Sequence, residues 1–68
     1  MEPKINKLKL FRVSKDMTME QFAAEIGYTR QNYSLYERKL AKPTTRIVNA
    51  ISVRFGMKMS EVYQLFED

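Results

Sequence analysis

The 68-residue sequence predicts an all-α fold, a compact bundle of five short helices forming a single domain over residues 1–68. Three observations carry that prediction. Polar capping residues stand ahead of apolar stripes at helical spacing, each glycine falls where such a stripe ends, and no stretch shows the apolar–polar alternation that marks a strand. A chain this short buries only about 60% of its unfolded surface, so the core must be well packed. With no cysteine, no disulfide can staple it, and the absence of both Cys and His removes the commonest zinc ligands.

Each element has its own local signals. Ile5, Leu8 and Phe11, with Arg12 beside them, make the inward stripe of a first helix expected from Pro3 or Lys4 to Ser14, since proline is tolerated at a first helical position. Leu10 and Val13 lie off that stripe. Thr18 is an N-cap, and Gln21 three residues on completes a capping box, so a second helix starts near Met19. Phe22, Ala23 and Ile26 share one face of it, and Ala23 is small enough to let a neighbouring helix approach closely. Gly27 closes the helix, because glycine enters the left-handed region without a Cβ penalty. Thr29 then caps a third helix from Arg30 to about Arg38, with Tyr33, Tyr36 and Glu37 turned inward and Arg30, Gln31, Asn32, Ser34 and Leu35 on the other surfaces. Leu40 to Pro43 reads as a loop, since proline restricts the residue before it. Thr44 or Thr45 caps a fourth helix through about Arg54, with Val48, Ile51 and Phe55 as its core face. Gly56 ends it. Ser60 opens a fifth helix whose apolar positions are Val62, Tyr63, Leu65 and Phe66.

Two short helices joined by a three- or four-residue turn containing glycine make a helix-turn-helix unit, here formed by helices 2 and 3. The residues around it resemble the lambda-repressor-like family of helix-turn-helix domains, which includes the phage Cro and repressor headpieces. The resemblance runs from about Leu8 to Val62. It rests on Leu8, Phe11 and Arg12 in the first helix, Thr18 through Gly27 in the second, Tyr33-Ser34-Leu35-Tyr36-Glu37 ending the third, then Lys42-Pro43-Thr44, and Ile51 to Met57 before the last. Three departures stand out. Arg38-Lys39 replaces the usual Asn-Gly, Met19 replaces the usual glutamine opening the second helix, and Tyr33 and Tyr36 occupy leucine or isoleucine core positions. The resemblance implies a partly buried structural ion pair between Arg12 and Glu37. That pair is not expected to be catalytic, because an arginine that stays protonated offers no usable acid or base. No nucleophile–base dyad, phosphate-cradling glycine loop or metal-ligand cluster appears in the sequence, so neither an enzyme nor a cofactor is expected.

Charge gives a second, independent indication. The net charge is +4 with a pI near 9.6. Between Tyr28 and Arg46 lie Arg30, Arg38, Lys39, Lys42 and Arg46 against Glu37 alone, a local excess of +4 that equals that of the entire chain. Residues 51–68 carry Arg54 and Lys58 against Glu61, Glu67 and Asp68, so that end is not expected to face phosphates. A basic face opposite a neutral or acidic one is the electrostatic footprint of a nucleic-acid binder.

In such a unit the N-terminal residues of the second helix meet base edges in the major groove while the first helix crosses the backbone. Arg30 suits guanine O6/N7, Gln31 or Asn32 suits adenine N6/N7, Leu35 can touch a thymine methyl, and Ser34 contributes from the same face. Arg30 could instead hold a phosphate, and any of these could be an ordinary solvated helix residue. Phosphate contacts are expected from Lys39, Lys42, Thr44, Thr45 and Arg46 around the loop and the start of helix 4, where the helix dipole favours an anion, and from the backbone N–H of Met19. Tyr28, beside the turn, is left open between core and contact. One reading surface this small has limited specificity, which two-fold dimers on half-sites about 34 Å apart overcome. Met57, Met59, Tyr63, Leu65 and Phe66 are the candidate dimer surface, or else they simply close the core.

The expected function is therefore a Cro-like phage or prophage repressor, a homodimer on a palindromic double-stranded DNA operator in the cytoplasm of a bacterial host, with no small-molecule ligand. The longest apolar run, Phe22 to Ala24, is three residues, too short for a membrane span or a signal-peptide core. A rival from another class is a protein-interaction module on the same fold, an antitoxin or anti-repressor docking through Leu10, Val13 and Leu35.

Overall fold

The computed structural model describes residues 6–67, and over them the chain forms helices α1 (Lys7–Ser14), α2 (Met19–Glu25), α3 (Arg30–Glu37), α4 (Thr45–Phe55) and α5 (Met59–Leu65). No strand occurs among the described residues. α1 starts later than expected. Asn6 is its cap: the side-chain oxygen accepts from the Lys9 N–H at 3.0 Å, while the side-chain amide donates to the Glu37 carbonyl at 2.6 Å. An extended capping residue ends a helix on its N-terminal side, so the expected start at Pro3 or Lys4 gives way to Lys7. Pro3, Lys4 and Ile5 themselves lie outside the described residues.

The remaining starts are set by side chains three residues apart. At α2 both halves of the Thr18–Gln21 capping box form, at 2.9 and 3.1 Å. Thr29 accepts from the Asn32 N–H at 3.1 Å, and Thr44, rather than Thr45, accepts from the Ile47 N–H at 3.3 Å. α5 begins at Met59, one residue before the expected Ser60, because Glu61 reaches back to the Lys58 N–H at 3.0 Å and fixes Lys58 as the cap.

The ends of α1, α2 and α3 share one device. After α2, Gly27 (φ +77°) donates to the Ala24 carbonyl and Tyr28 to that of Ala23, the paired bonds of a Schellman turn. The same pairing closes α3 through Lys39 (φ +62°) and Leu40, and α1 through Asp16 (φ +56°) and Met17. Neither Asp16 nor Lys39 is glycine, so these two turns carry a steric cost that Gly27 and Gly56 avoid.

Leu8, Phe22, Ala23, Tyr33, Ile47, Val48, Ile51 and Val62 have lost essentially all contact with solvent, and Ile26 nearly so. Burial at that level is worth roughly 1.5–3 kcal/mol for each large apolar side chain. Ile47 belongs to this core although the sequence pattern pointed to Val48, Ile51 and Phe55 alone; Phe55 is half-buried and stacks on Phe22 at 5.3 Å between centroids. Phe11 and Tyr33 complete the aromatic cluster around Phe22, at 6.1 and 5.0 Å. Tyr36 goes only half inside. It meets Tyr28 and Phe66 edge-on, at 6.2 and 6.0 Å. Of the candidate dimer residues, Met57, Met59, Leu65 and Phe66 pack half-buried against the core and Tyr63 alone is exposed. Leu10 and Val13 are exposed on α1. No helix of the described residues is long and apolar enough to cross a membrane.

Candidate nucleic-acid interface

Everything on the outer face of α3 depends on how its inner face is held. Tyr33 and Glu37, one turn apart, enter the interior, where Arg12 Nε donates to Glu37 Oε2 at 2.6 Å and the Tyr33 hydroxyl donates to the same carboxylate oxygen. Arg12 also donates through Nη1 to the Met17 carbonyl at 2.8 Å, which ties in the loop before α2. Arg12 and Glu37 are both buried, and no buried side-chain polar atom among the described residues lacks a partner. The hydrogen bond that Arg12 donates to Glu37 raises the Arg12 pKa further, outweighing the effect of burial. Burial first, then the bond to Glu37, pushes the Tyr33 phenol well above its ordinary range. Both groups therefore keep their protons at any physiological pH. A charge-assisted network fully satisfied in this way pins α3 to α1, and breaking one partner would strand the other.

The outer face follows from the helical rotation of about 100° per residue. Opposite Tyr33 and Glu37 lie Gln31, Leu35 and Arg38, and with Met19, Arg30 and Ser34 they line one cleft between the start of α2 and α3. Arg30, Gln31, Leu35 and Arg38 are exposed and Ser34 is half-buried, its hydroxyl donating to the Gln31 carbonyl at 2.9 Å. Asn32 is exposed too but sits on the flank of α3, outside that lining. Arg38 was not among the contacts expected from the sequence, where it counted toward the local charge, the end of the helix and the departure from Asn-Gly. Its signal was available: Gln31, Leu35 and Arg38 are spaced i, i+4, i+7 on one stripe. Met19 differs from expectation in kind. Beyond its backbone N–H, its half-buried side chain packs against the core on one side and walls the cleft on the other.

The positions around the α3–α4 loop divide. Lys42, Thr45 and Arg46 are exposed, and Thr44, exposed as well, already uses its hydroxyl oxygen as the α4 cap. Lys39 turns its ammonium to the Phe66 carbonyl at 3.0 Å, toward the end of α5. Tyr28 is half-buried, with the Arg46 guanidinium 5.8 Å from its ring centre. Among the described residues no carboxylate forms an ion pair with Arg30, Arg38, Lys42 or Arg46; Glu37 pairs with Arg12 and Glu25 with Arg54. The described residues also hold no group of three or more side chains suited to a metal ion.

Two helices meeting across a Gly27 turn, the second locked from behind and presenting polar and cationic groups in front, define a helix-turn-helix domain. The helix-turn-helix family model matches residues 8–62, and the chain belongs to the lambda-repressor-like helix-turn-helix family. It is similar to an uncharacterized HTH-type transcriptional regulator of Methanocaldococcus jannaschii, 30% identical over 63 residues that cover 93% of this chain and 94% of the relative. No solved structure matches it.

Proposed function

We propose that this protein is a DNA-binding transcriptional regulator, and more closely a Cro-like phage or prophage repressor that occupies a palindromic operator as a homodimer. One observation carries the reading: Arg30, Gln31 and Asn32 are exposed on the first turn of a helix whose opposite side is held by a buried ion pair. Such a rigidly seated helix can enter a major groove without first being ordered, so little of its contact energy is lost to conformational entropy. Arg30, Gln31, Asn32, Ser34 and Leu35 read base edges. Lys42, Thr44, Thr45 and Arg46 position the backbone, with the Met19 N–H and Lys39 in the same role at the margins. Four outward cations without carboxylate partners among the described residues support the electrostatic half of the proposal. The protein acts in the cytoplasm of its host by blocking polymerase, with no chemical step.

Dimerisation on DNA is supported by the exposed Tyr63 on α5 and by the open groove between α1 and α5, whose lining includes Leu10, Phe11 and Leu65. The exposed Leu10 and Val13 also favour the second reading, a protein-interaction module of antitoxin or anti-repressor type. Selection from random duplexes followed by sequencing separates the two. A regulator enriches a palindrome and binds it with steep salt dependence; a protein-docking module enriches none and copurifies with a partner.

A further inference from the structure

We infer that Tyr28 is a positioning residue for the DNA backbone contact: its ring holds the Arg46 guanidinium in place for a phosphate before DNA arrives, so Tyr28 acts through Arg46 without touching the duplex itself. The inference rests on the proposal that Arg46 meets a phosphate, and gives Tyr28 a role distinct from both core packing and direct contact.

The ring is fixed independently of the cation. Tyr28 directly follows Gly27, and its N–H donates to the Ala23 carbonyl at 2.8 Å in the turn that closes α2. Thr29, the next residue, caps α3 through the Asn32 N–H. With the backbone pinned on both sides, the half-buried ring meets Tyr36 edge-on at 6.2 Å and 87°, and Tyr36 is held in turn against Phe66 at 6.0 Å. A tyrosine has few rotatable bonds to begin with, and one seated in this way is a rigid platform.

Onto that platform α4 brings Arg46, its second residue, with the guanidinium carbon 5.8 Å from the Tyr28 ring centre. This lies within the roughly 6 Å over which a ring quadrupole attracts a cation. Arg46 is exposed and pairs with no carboxylate among the described residues. The chemistry of the two kinds of partner differs. A carboxylate would occupy the N–H donors that a phosphate needs, whereas a ring attracts the charge and leaves the donors open. Arg54 shows the contrast: it lies 5.1 Å from the Phe55 ring, yet its Nε is taken by Glu25 at 2.7 Å. Arg46 also stands in the first turn of α4, at the positive end of the helix dipole, so its own helix disfavours it and an incoming anion suits both. An exposed arginine has many rotamers, and freezing them on binding opposes association. Placement on Tyr28 removes part of that cost in advance, which at the strength of an exposed cation–π contact amounts to about two- to fivefold in affinity.

The first arm of the test uses the free wild-type protein. Side-chain Nε–H relaxation by NMR should give Arg46 a clearly higher order parameter than Arg30, which is exposed and has no ring contact among the described residues. Equal mobility of the two overturns the inference. The second arm measures affinity for the duplex obtained by selection, and for random duplex, over a salt series. Arg46→Ala should flatten the logarithmic salt slope by about one unit, and an unchanged slope overturns the inference. Tyr28→Phe keeps the ring and should bind as wild type does. Tyr28→Leu should weaken both duplexes alike, about two- to fivefold, and should cause no further loss in the Arg46→Ala background, where nothing remains to be positioned. A Tyr28→Phe variant as weak as Tyr28→Leu assigns the contact to the hydroxyl, and a loss undiminished in the Arg46→Ala background assigns it to the fold; either result overturns the inference. Circular dichroism melts check that each variant is folded, and if Tyr28→Leu is not, the relaxation comparison and the Arg46→Ala salt slope decide. A selected duplex bound equally well by wild type and Tyr28→Leu overturns this inference and leaves the regulator reading standing. Failure to bind duplex DNA at all overturns both.

Discussion

Lys39 is the residue whose replacement tests the backbone argument most directly. It occupies the left-handed position closing α3, at φ +62°, where an L-residue costs about 1–2 kcal/mol relative to a right-handed helical conformation. Glycine removes that cost but forfeits about 0.5–1 kcal/mol through the greater freedom of its unfolded chain. Both Lys39→Gly and Lys39→Ala lose the same ammonium contact to the Phe66 carbonyl, so the difference between them isolates the backbone. Lys39→Gly should exceed Lys39→Ala in stability by about 0.5–1 kcal/mol, or about 2–8 °C in melting temperature for a domain of this size. Paired thermal and urea denaturations followed by circular dichroism measure it. A glycine variant no more stable than the alanine variant would refute the claim that this turn is strained. DNA selectivity should survive in both, because neither change touches the outward stripe of α3.

Three further outcomes are expected. Glu37→Ala leaves the Arg12 guanidinium buried without its carboxylate and should cost about 3–5 kcal/mol, much of the roughly 3–10 kcal/mol available to a chain of this length; a loss below 1 kcal/mol by urea titration would contradict the burial. Gln31→Ala should relax preference at one base pair per half-site, whereas Lys42→Ala weakens all duplexes alike and flattens the logarithmic salt slope by about one unit, and identical profiles for the two would erase the division between readers and positioners. The Arg54 guanidinium, hydrogen-bonded to Glu25 at 2.7 Å, holds that carboxyl below its usual value of 4.5. Its contribution is thus present above pH 4.5 and lost as pH falls through the lowered value. Melting temperatures of wild type and Glu25→Gln should differ slightly near pH 6 and converge towards pH 3, and a gap that widens in acid would reverse the sign.

How much of this was legible beforehand depends on the range of the interaction involved. Thr18 with Gln21, Thr29 with the Asn32 N–H and Gly27 at a helix end are contacts within a few residues, so they appear in any reading of the chain and place α2 and α3 correctly. The inward direction of Tyr33 and Glu37 follows equally from helical spacing. By contrast, Asn6 is chosen as the cap of α1 while also donating to the Glu37 carbonyl, a partner 31 residues away. Ile47 enters the core because α4 packs with a wider apolar face than one stripe, and Tyr36 stops half-way because Tyr28 and Phe66 meet its ring at the edge.

The candidate site divides along the same line. That Arg30, Gln31 and Asn32 follow a cap and face outward is local information. That Met19 walls the cleft with its side chain, that Arg38 joins the same lining and that Lys39 turns away toward α5 depends on two helices meeting at one angle. The sequence by itself determined the helices, their caps and the sign of the charge they present, since each is decided by neighbours three or four residues apart. Tertiary structure alone decided which groups share the cleft and which carboxylates pair with Arg12 and Arg54, because those outcomes turn on distances between elements that no spacing along the chain records.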